Sequence, residues 1–160
     1  MKINSRFTSP DQSPYHEIKF RNADSEIRNP DGTTVFELKG FEVPAEWSQV
    51  ASDIIAQKYF RKAGVPQCLK AVEENDVPSW LWRHEEDTES LKKLPIEKRY
   101  GPETSAKQVF DRLAGTWTYW GWKGGYFTEE SDARAFFNEL RFMLANQMCA
   151  PNSPQWFNTG

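Results

Sequence analysis

Cysteine, histidine and long apolar runs are all scarce in this chain of 160 residues. Its two cysteines, Cys68 and Cys149, are too few for a disulfide scaffold, and we expect both to be inert thiols that are at least half-buried. The two histidines, His16 and His84, stand alone, whereas a metal site needs three or four convergent ligands. No apolar run approaches the roughly 20 residues of a membrane-spanning helix, and the N-terminus lacks an apolar signal core. The sequence therefore predicts a soluble, cytoplasmic protein without a membrane partner.

An excess of positive charge is also missing. The chain has 20 basic and 23 acidic side chains, which gives a net charge of −3. Because binding to a polynucleotide depends on neutralising many phosphates, this balance argues against a nucleic acid polymer as partner. What the sequence does have is aromatic side chains, which make up 14% of its residues. Each can bury roughly 150–250 Å², so we expect a core built on large rings.

The apolar pattern predicts a mainly α (α+β) fold in which a small β-hairpin precedes a helical domain. Residues 1–14 form an arm that is loose unless it docks. The turn sequence Asn29–Gly32 joins two predicted strands, 26–28 and 34–38. The predicted domain limits are 1–43 for the arm and hairpin, and 44–150 for the helical domain. The predicted helices span 45–63, 106–121 and 129–148, with a solvated connector at 66–104 that includes frayed helix around 88–94.

Local signals support these helices. Pro44 suits the first turn of a helix, and Ser105 with Gln108 matches a capping box. The buried face predicted for the first helix consists of Trp47, Val50, Ala51, Ile54, Ile55 and Tyr59. One core shared by the other two is predicted to contain Trp117, Trp120, Phe136, Phe137 and Leu140.

An aromatic run between Trp117 and Phe127 admits two interpretations. It is either a platform on which bases or sugars stack, or a corner where two helices meet. Gly121–Gly125 lacks the spacing of a phosphate-binding loop and is predicted to be a turn. The carboxylates between 73 and 87 are predicted to be solvated, so residue types alone reveal no catalytic, cofactor-binding or metal-binding constellation.

Several longer segments of the sequence resemble segments of a known protein family. RLAGTWTYWGWKGGYF at 112–127 and APNSPQWFNTG at 150–160 resemble the N-terminal part of adenosylcobalamin-dependent (class II) ribonucleotide reductases. The resemblance extends over SEIRNPDG at 25–32 and QKYFRKAGVP at 57–66, and so over nearly the whole chain.

The resemblance implies an enzyme that reduces ribonucleotides to deoxyribonucleotides by cobalamin-initiated thiyl radical chemistry. Its partners would be a ribonucleotide, a dithiol reductant and the rest of its own chain. The chain would stop before a ten-stranded α/β barrel, with residues 151–160 as the truncated start of that barrel. Trp156 and Phe157 would then be exposed. Independently of the resemblance, Pro151 is predicted to end the third helix and residues 152–160 to run as loop and extended chain. Because the family's reactive cysteines and cobalamin surface lie downstream, we expect no activity and no cobalamin binding from these residues alone.

One functional position carries over from the resemblance. A family segment of the form Ser-Pro-Thr-Leu-Phe-Asn-x-Gly lines the substrate site, and its serine contacts the nucleotide's phosphate. Ser153 occupies that position here, although Gln155 and Trp156 depart from the pattern. The alternative is that Ser153 only shapes the turn before Pro154. The alternative for the whole chain is a stand-alone, helical, aromatic-rich binding module, and the choice between di- and triphosphate substrates stays open.

Overall fold

A long β-hairpin and two long helices organise the computed structural model, which describes residues 1–160. The fold is α+β with helices in the majority, as predicted. Three separate two-stranded antiparallel sheets pair β1 with β2, β3 with β6, and β4 with β5. The strands are β1 (Phe20–Arg28), β2 (Thr34–Pro44), β3 (Val65–Pro66), β4 (Leu69–Ala71), β5 (His84–Glu86) and β6 (Tyr100–Gly101). The helices are α1 (Gln49–Ile54), α2 (Thr88–Lys92), α3 (Ala106–Lys123), α4 (Glu130–Ala145) and α5 (Ser153–Asn158).

The predicted hairpin is present and longer than its sequence signals indicated. β1 and β2 pair from Phe20 opposite Pro44 to Arg28 opposite Thr34, with register shifts on either side of the central pairs. Pro44 therefore ends a strand, and its prediction as a first helical residue is wrong. The helix begins at Gln49, because the Ser48 hydroxyl caps it by accepting a hydrogen bond from the Ala51 amide.

The predicted buried face of the first helix is only partly correct. Val50 is 67% exposed and Ile54 is 40% exposed, whereas Ile55 and Ala56 are buried. A π-turn, Ile55–Tyr59, continues α1, but Val50 and Ile54 precede it. The buried face is instead centred on Ser52, Ile55 and Ala56, and the Arg21 guanidinium of the hairpin donates to the Ser52 hydroxyl.

The segment predicted as a solvated connector is more ordered than expected. Short strand pairs and α2, which is capped by Asp87, organise it, and α2 lies within the predicted frayed helix. It is tied to α3 by side chains of the aromatic run. The Trp122 indole donates to the Asp76 carbonyl, Lys123 pairs with the Asp76 carboxylate at 2.7 Å, and the Tyr119 hydroxyl donates to Glu74.

α3 and α4 lie close to their predicted bounds. The Ser105–Gln108 capping box is present, and α3 ends before Gly125, which adopts a positive φ of 68°. Gly121 makes room for the Phe127 ring of the turn after α3, because a Cβ there would stand 2.8 Å from that ring. None of the helices combines the length and the apolar character needed to cross a membrane.

The main core lies between the hairpin, α1 and α3. Its large, fully buried side chains include Phe41, Ile55, Phe110 and Leu113. Trp117 and Leu140 pack against this core. Phe136 and Phe137 are half-buried and contact Phe127 and Trp80 instead, so the prediction that they share the core is wrong. Trp120 is 58% exposed, so the prediction that it belongs to the core is wrong. Trp120 follows Tyr119 on α3, and the helix turns its ring away from the core while the Tyr119 hydroxyl reaches Glu74.

The N-terminal arm docks along α4. The Glu139 carboxylate accepts hydrogen bonds from the Phe7 and Thr8 amides and from the Thr8 hydroxyl. The Phe7 ring stacks on Phe142, with ring centroids 5.5 Å apart. Residues 1–14 were predicted to be loose unless they dock. These contacts hold the arm against α4.

Candidate functional site

Residues 153–158 form the short helix α5, so the predicted loop and extended conformation is wrong. Pro154 lies in the first turn of α5, where its fixed φ favours helix and its missing N–H costs nothing. Trp156 is only 9% exposed and stacks on Tyr59, which contradicts the predicted exposure of this ring. Phe157 is 44% exposed, in agreement with the prediction.

Ser153 is the first residue of α5 and is exposed to solvent. Its Oγ lies 2.8 Å from the hydroxyl oxygen of Tyr59, which belongs to the π-turn after α1. The Tyr59 ring also stacks on Trp156, at 5.4 Å between centroids, and on Phe157, at 6.2 Å. Ser153, the predicted substrate residue, is therefore accessible. Tyr59 contacts both the Ser153 hydroxyl and the aromatic rings of α5.

Arg112 of α3 anchors the backbone around Ser153. Its Nη1 donates to the carbonyl oxygens of Trp156 at 2.7 Å and Thr159 at 2.9 Å, and its Nη2 donates to the carbonyl of Tyr59 at 3.0 Å. Its Nε pairs with the Glu103 carboxylate at 2.8 Å, and the side chains of both residues are almost completely buried. A single guanidinium thus fixes the π-turn and α5 relative to α3.

Charge near α5 is net positive. The Arg61 amide donates to Glu103, and the Arg61 guanidinium donates to the carbonyl of Gly160. Partial burial, followed by the nearby Arg112 charge, lowers the pKa of Arg61, but arginine starts high enough to stay protonated at neutral pH. Two guanidinium groups and one carboxylate therefore leave one positive charge beside residues 156–160.

Neither cysteine forms a disulfide bond. Cys68 and Cys149 are free and half-buried, and burial raises the pKa of the Cys149 thiol. No group of three or more His, Cys, Asp or Glu side chains is arranged to hold a metal ion. This arrangement matches the prediction that both thiols are at least half-buried, and the raised pKa disfavours the reactive thiolate of Cys149.

The aromatic run has mostly structural contacts. Tyr119 and Trp122 hold the 66–104 segment, and Trp117 packs against the core. Trp120 and Tyr126 are the exposed rings of the run, at 58% and 66%. The Gly121–Gly125 stretch forms the helix end and turn that the sequence predicted. The helix-corner interpretation therefore accounts for most of the run.

Sequence reasoning missed three members of the Ser153 neighbourhood: Tyr59, Glu103 and Arg112. Tyr59 was predicted only as part of an apolar helix face. The one available signal was a charged residue, Arg112, placed directly before the apolar Leu113 and Ala114 on a helix. Its partner Glu103 precedes the helix by three residues, and no local spacing rule connects the two.

Comparison with known proteins agrees with the resemblance of the motifs. The family model described as class II vitamin B12-dependent ribonucleotide reductase matches residues 21–147. A vitamin B12-dependent ribonucleotide reductase of Bradyrhizobium diazoefficiens is 68% identical over the whole chain, and one of Agrobacterium fabrum is 67% identical. A relative of the same name from Streptomyces coelicolor is 31% identical over 162 aligned positions.

The chain therefore belongs to the class II vitamin B12-dependent ribonucleotide reductase family. It spans 13% of the length of each of these three curated relatives.

Proposed function

We propose that this chain forms the N-terminal part of an enzyme that reduces ribonucleotides to deoxyribonucleotides, the precursors of DNA. Family membership supports the reaction, and the names of the relatives support dependence on vitamin B12. The proposed partners are a ribonucleotide, a dithiol reductant and the remainder of the same chain, in the cytoplasm. In this proposal residues 151–160 lead into the catalytic barrel.

Adenosylcobalamin would supply the radical that starts the reaction. The two best-formed depressions on this chain are too small for it. An apolar groove beside Tyr59 and Trp156 has about 230 Å³, and a second one between the N-terminal arm and α4 has about 250 Å³. Sites for drug-sized ligands, which are smaller than cobalamin, occupy about 300–1,000 Å³. The contribution proposed for these residues is therefore substrate positioning.

Ser153 is the residue proposed to bind the substrate. Its exposed hydroxyl, at the position where the family's serine contacts the nucleotide, would donate a hydrogen bond to a phosphate oxygen of the ribonucleotide. Arg112 and Glu103 would keep α5 in place, and the net positive charge beside 156–160 would favour an anion. A hydroxyl can contact phosphate without a positive side chain of its own.

The test uses a complete enzyme, the hybrid reductase, in which these 160 residues replace the matching region of the B. diazoefficiens relative. A hydrogen bond to a charged group contributes about 1.5–3 kcal/mol, so Ser153→Ala should raise KM for the ribonucleotide about 10- to 100-fold. Ser131→Ala, at an exposed serine of α4, is the matched control and should leave KM unchanged. An unchanged KM for Ser153→Ala contradicts the site assignment.

A further inference from the structure

The Tyr59 hydroxyl contacts Ser153, the proposed substrate residue, and other contacts hold the Tyr59 ring and its carbonyl. Its ring is stacked on Trp156 and Phe157, and its carbonyl accepts from Arg112. The hydroxyl is the one part of Tyr59 that reaches Ser153, at 2.8 Å. Because ring and backbone are held independently of this hydrogen bond, the phenol has little freedom to point elsewhere.

The chemistry of the ligand decides which hydroxyl donates. Phosphate oxygens of a nucleotide accept hydrogen bonds, so Ser153 must give its single proton to the substrate. Its lone pairs are then free to accept from the Tyr59 hydroxyl. The opposite arrangement, in which Ser153 donates to Tyr59, would point the only serine proton away from the substrate.

We propose that Tyr59 is a positioning residue of the substrate site, which donates its hydroxyl proton to Ser153 and so directs the serine proton toward the substrate phosphate. The inference rests on the proposed function, because it assumes that Ser153 meets the nucleotide. Tyr59 acts through Ser153 and does not itself touch the substrate. Its effect should therefore vanish when the serine hydroxyl is gone.

Tyr59→Phe in the hybrid reductase isolates this hydrogen bond, because the ring stacking on α5 is retained. A net hydrogen bond between neutral groups contributes about 0.5–1.5 kcal/mol, so KM for the ribonucleotide should rise about 2- to 10-fold while kcat stays unchanged. In the Ser153→Ala background, Tyr59→Phe should add no further increase. Tyr100→Phe is the control, since this exposed phenol donates to Glu86 on another part of the surface.

The possible outcomes separate the two proposals. If Ser153→Ala raises KM and Tyr59→Phe does not, the role of Tyr59 is refuted and the proposed function stands. Independent effects that multiply in the double variant also refute it, because Tyr59 would then act without the serine. If neither variant changes KM, both the substrate role of Ser153 and the inference about Tyr59 fail. A KM increase confined to the single variants, with no further increase in the double variant, supports the inference.

Discussion

Removing the Arg112 guanidinium should destabilise the chain more than any surface substitution. Arg112 makes five hydrogen bonds, two to Glu103 and three to the carbonyls of Tyr59, Trp156 and Thr159. Arg112→Met keeps much of the apolar stem and leaves a buried carboxylate without its partner. Breaking a buried pair in this way costs about 3–5 kcal/mol, and the three unpaired carbonyls place the expected loss in the upper part of that range.

Urea unfolding of the 160-residue chain, followed by tryptophan fluorescence, measures this loss. For a domain of this size, it corresponds to a decrease in Tm of about 6–20 °C. The control is Lys92→Met, because Lys92 pairs with Glu89 at the surface, with side chains 61% and 80% exposed. Such exposed pairs contribute about 0–1 kcal/mol.

A double variant tests the reason for the loss. Arg112→Met combined with Glu103→Leu removes the uncompensated charge, so it should be more stable than Arg112→Met alone. The reasoning is refuted if Arg112→Met lies within about 1 kcal/mol of the native chain, or if adding Glu103→Leu gives no recovery.

Three further predictions concern the arm, the thiols and activity. Burial acts to raise the pKa of Glu139, but hydrogen bonds from Thr8 and from the amide of Phe7 outweigh it and lower the pKa below the ordinary 4.5. Its contribution to the free energy of unfolding should be fully present above about pH 4.5 and lost as the pH falls through the lower, folded-state pKa, so Glu139→Gln should cost more stability at pH 7 than at pH 3. An equal cost at both pH values contradicts this. Burial raises the pKa of Cys149, so a Cys68→Ala chain should react with iodoacetamide more slowly at pH 7.5 than a free cysteine peptide does, and equal rates would show an activated thiol. The 160-residue chain with adenosylcobalamin and a dithiol should form no deoxyribonucleotide, and detectable product would contradict our assignment of its residues.

Local signals predicted the elements whose partners lie nearby in sequence. The Ser105–Gln108 capping box and the turn at Asn29–Gly32 act over three or four residues, and both elements formed where expected. The long apolar stripes of α3 and α4 likewise fixed their bounds to within a few residues. These features depend on hydrogen bonds and periodicity that are visible within one segment.

The incorrect predictions concern elements whose conformation or burial depends on residues that are distant in sequence. Pro44 has two compatible local roles, and its pairing with Phe20 in the hairpin selects the strand. The first helix buries Ser52, Ile55 and Ala56 and exposes Val50 and Ile54, and the hydrogen bond that Ser52 accepts comes from Arg21, 31 positions away. α5 is held in place, with the Trp156 ring buried, because Arg112 and Tyr59 supply partners from 44 and 94 positions away.

The same distinction holds for the candidate site. Ser153 was found because a short string, SPQWFN at 153–158, carries the family resemblance. Its supporting residues Tyr59, Glu103 and Arg112 are dispersed over the chain, and only the fold brings them together.

The central claim is that Ser153 meets the substrate phosphate, and a crystal structure of the hybrid reductase with bound ribonucleotide tests it most directly. The proposal predicts a phosphate oxygen about 2.5–3.0 Å from the Ser153 Oγ, with the Tyr59 hydroxyl still in contact with that atom. A bound ribonucleotide with no phosphate oxygen within about 4 Å of Ser153 would contradict the claim.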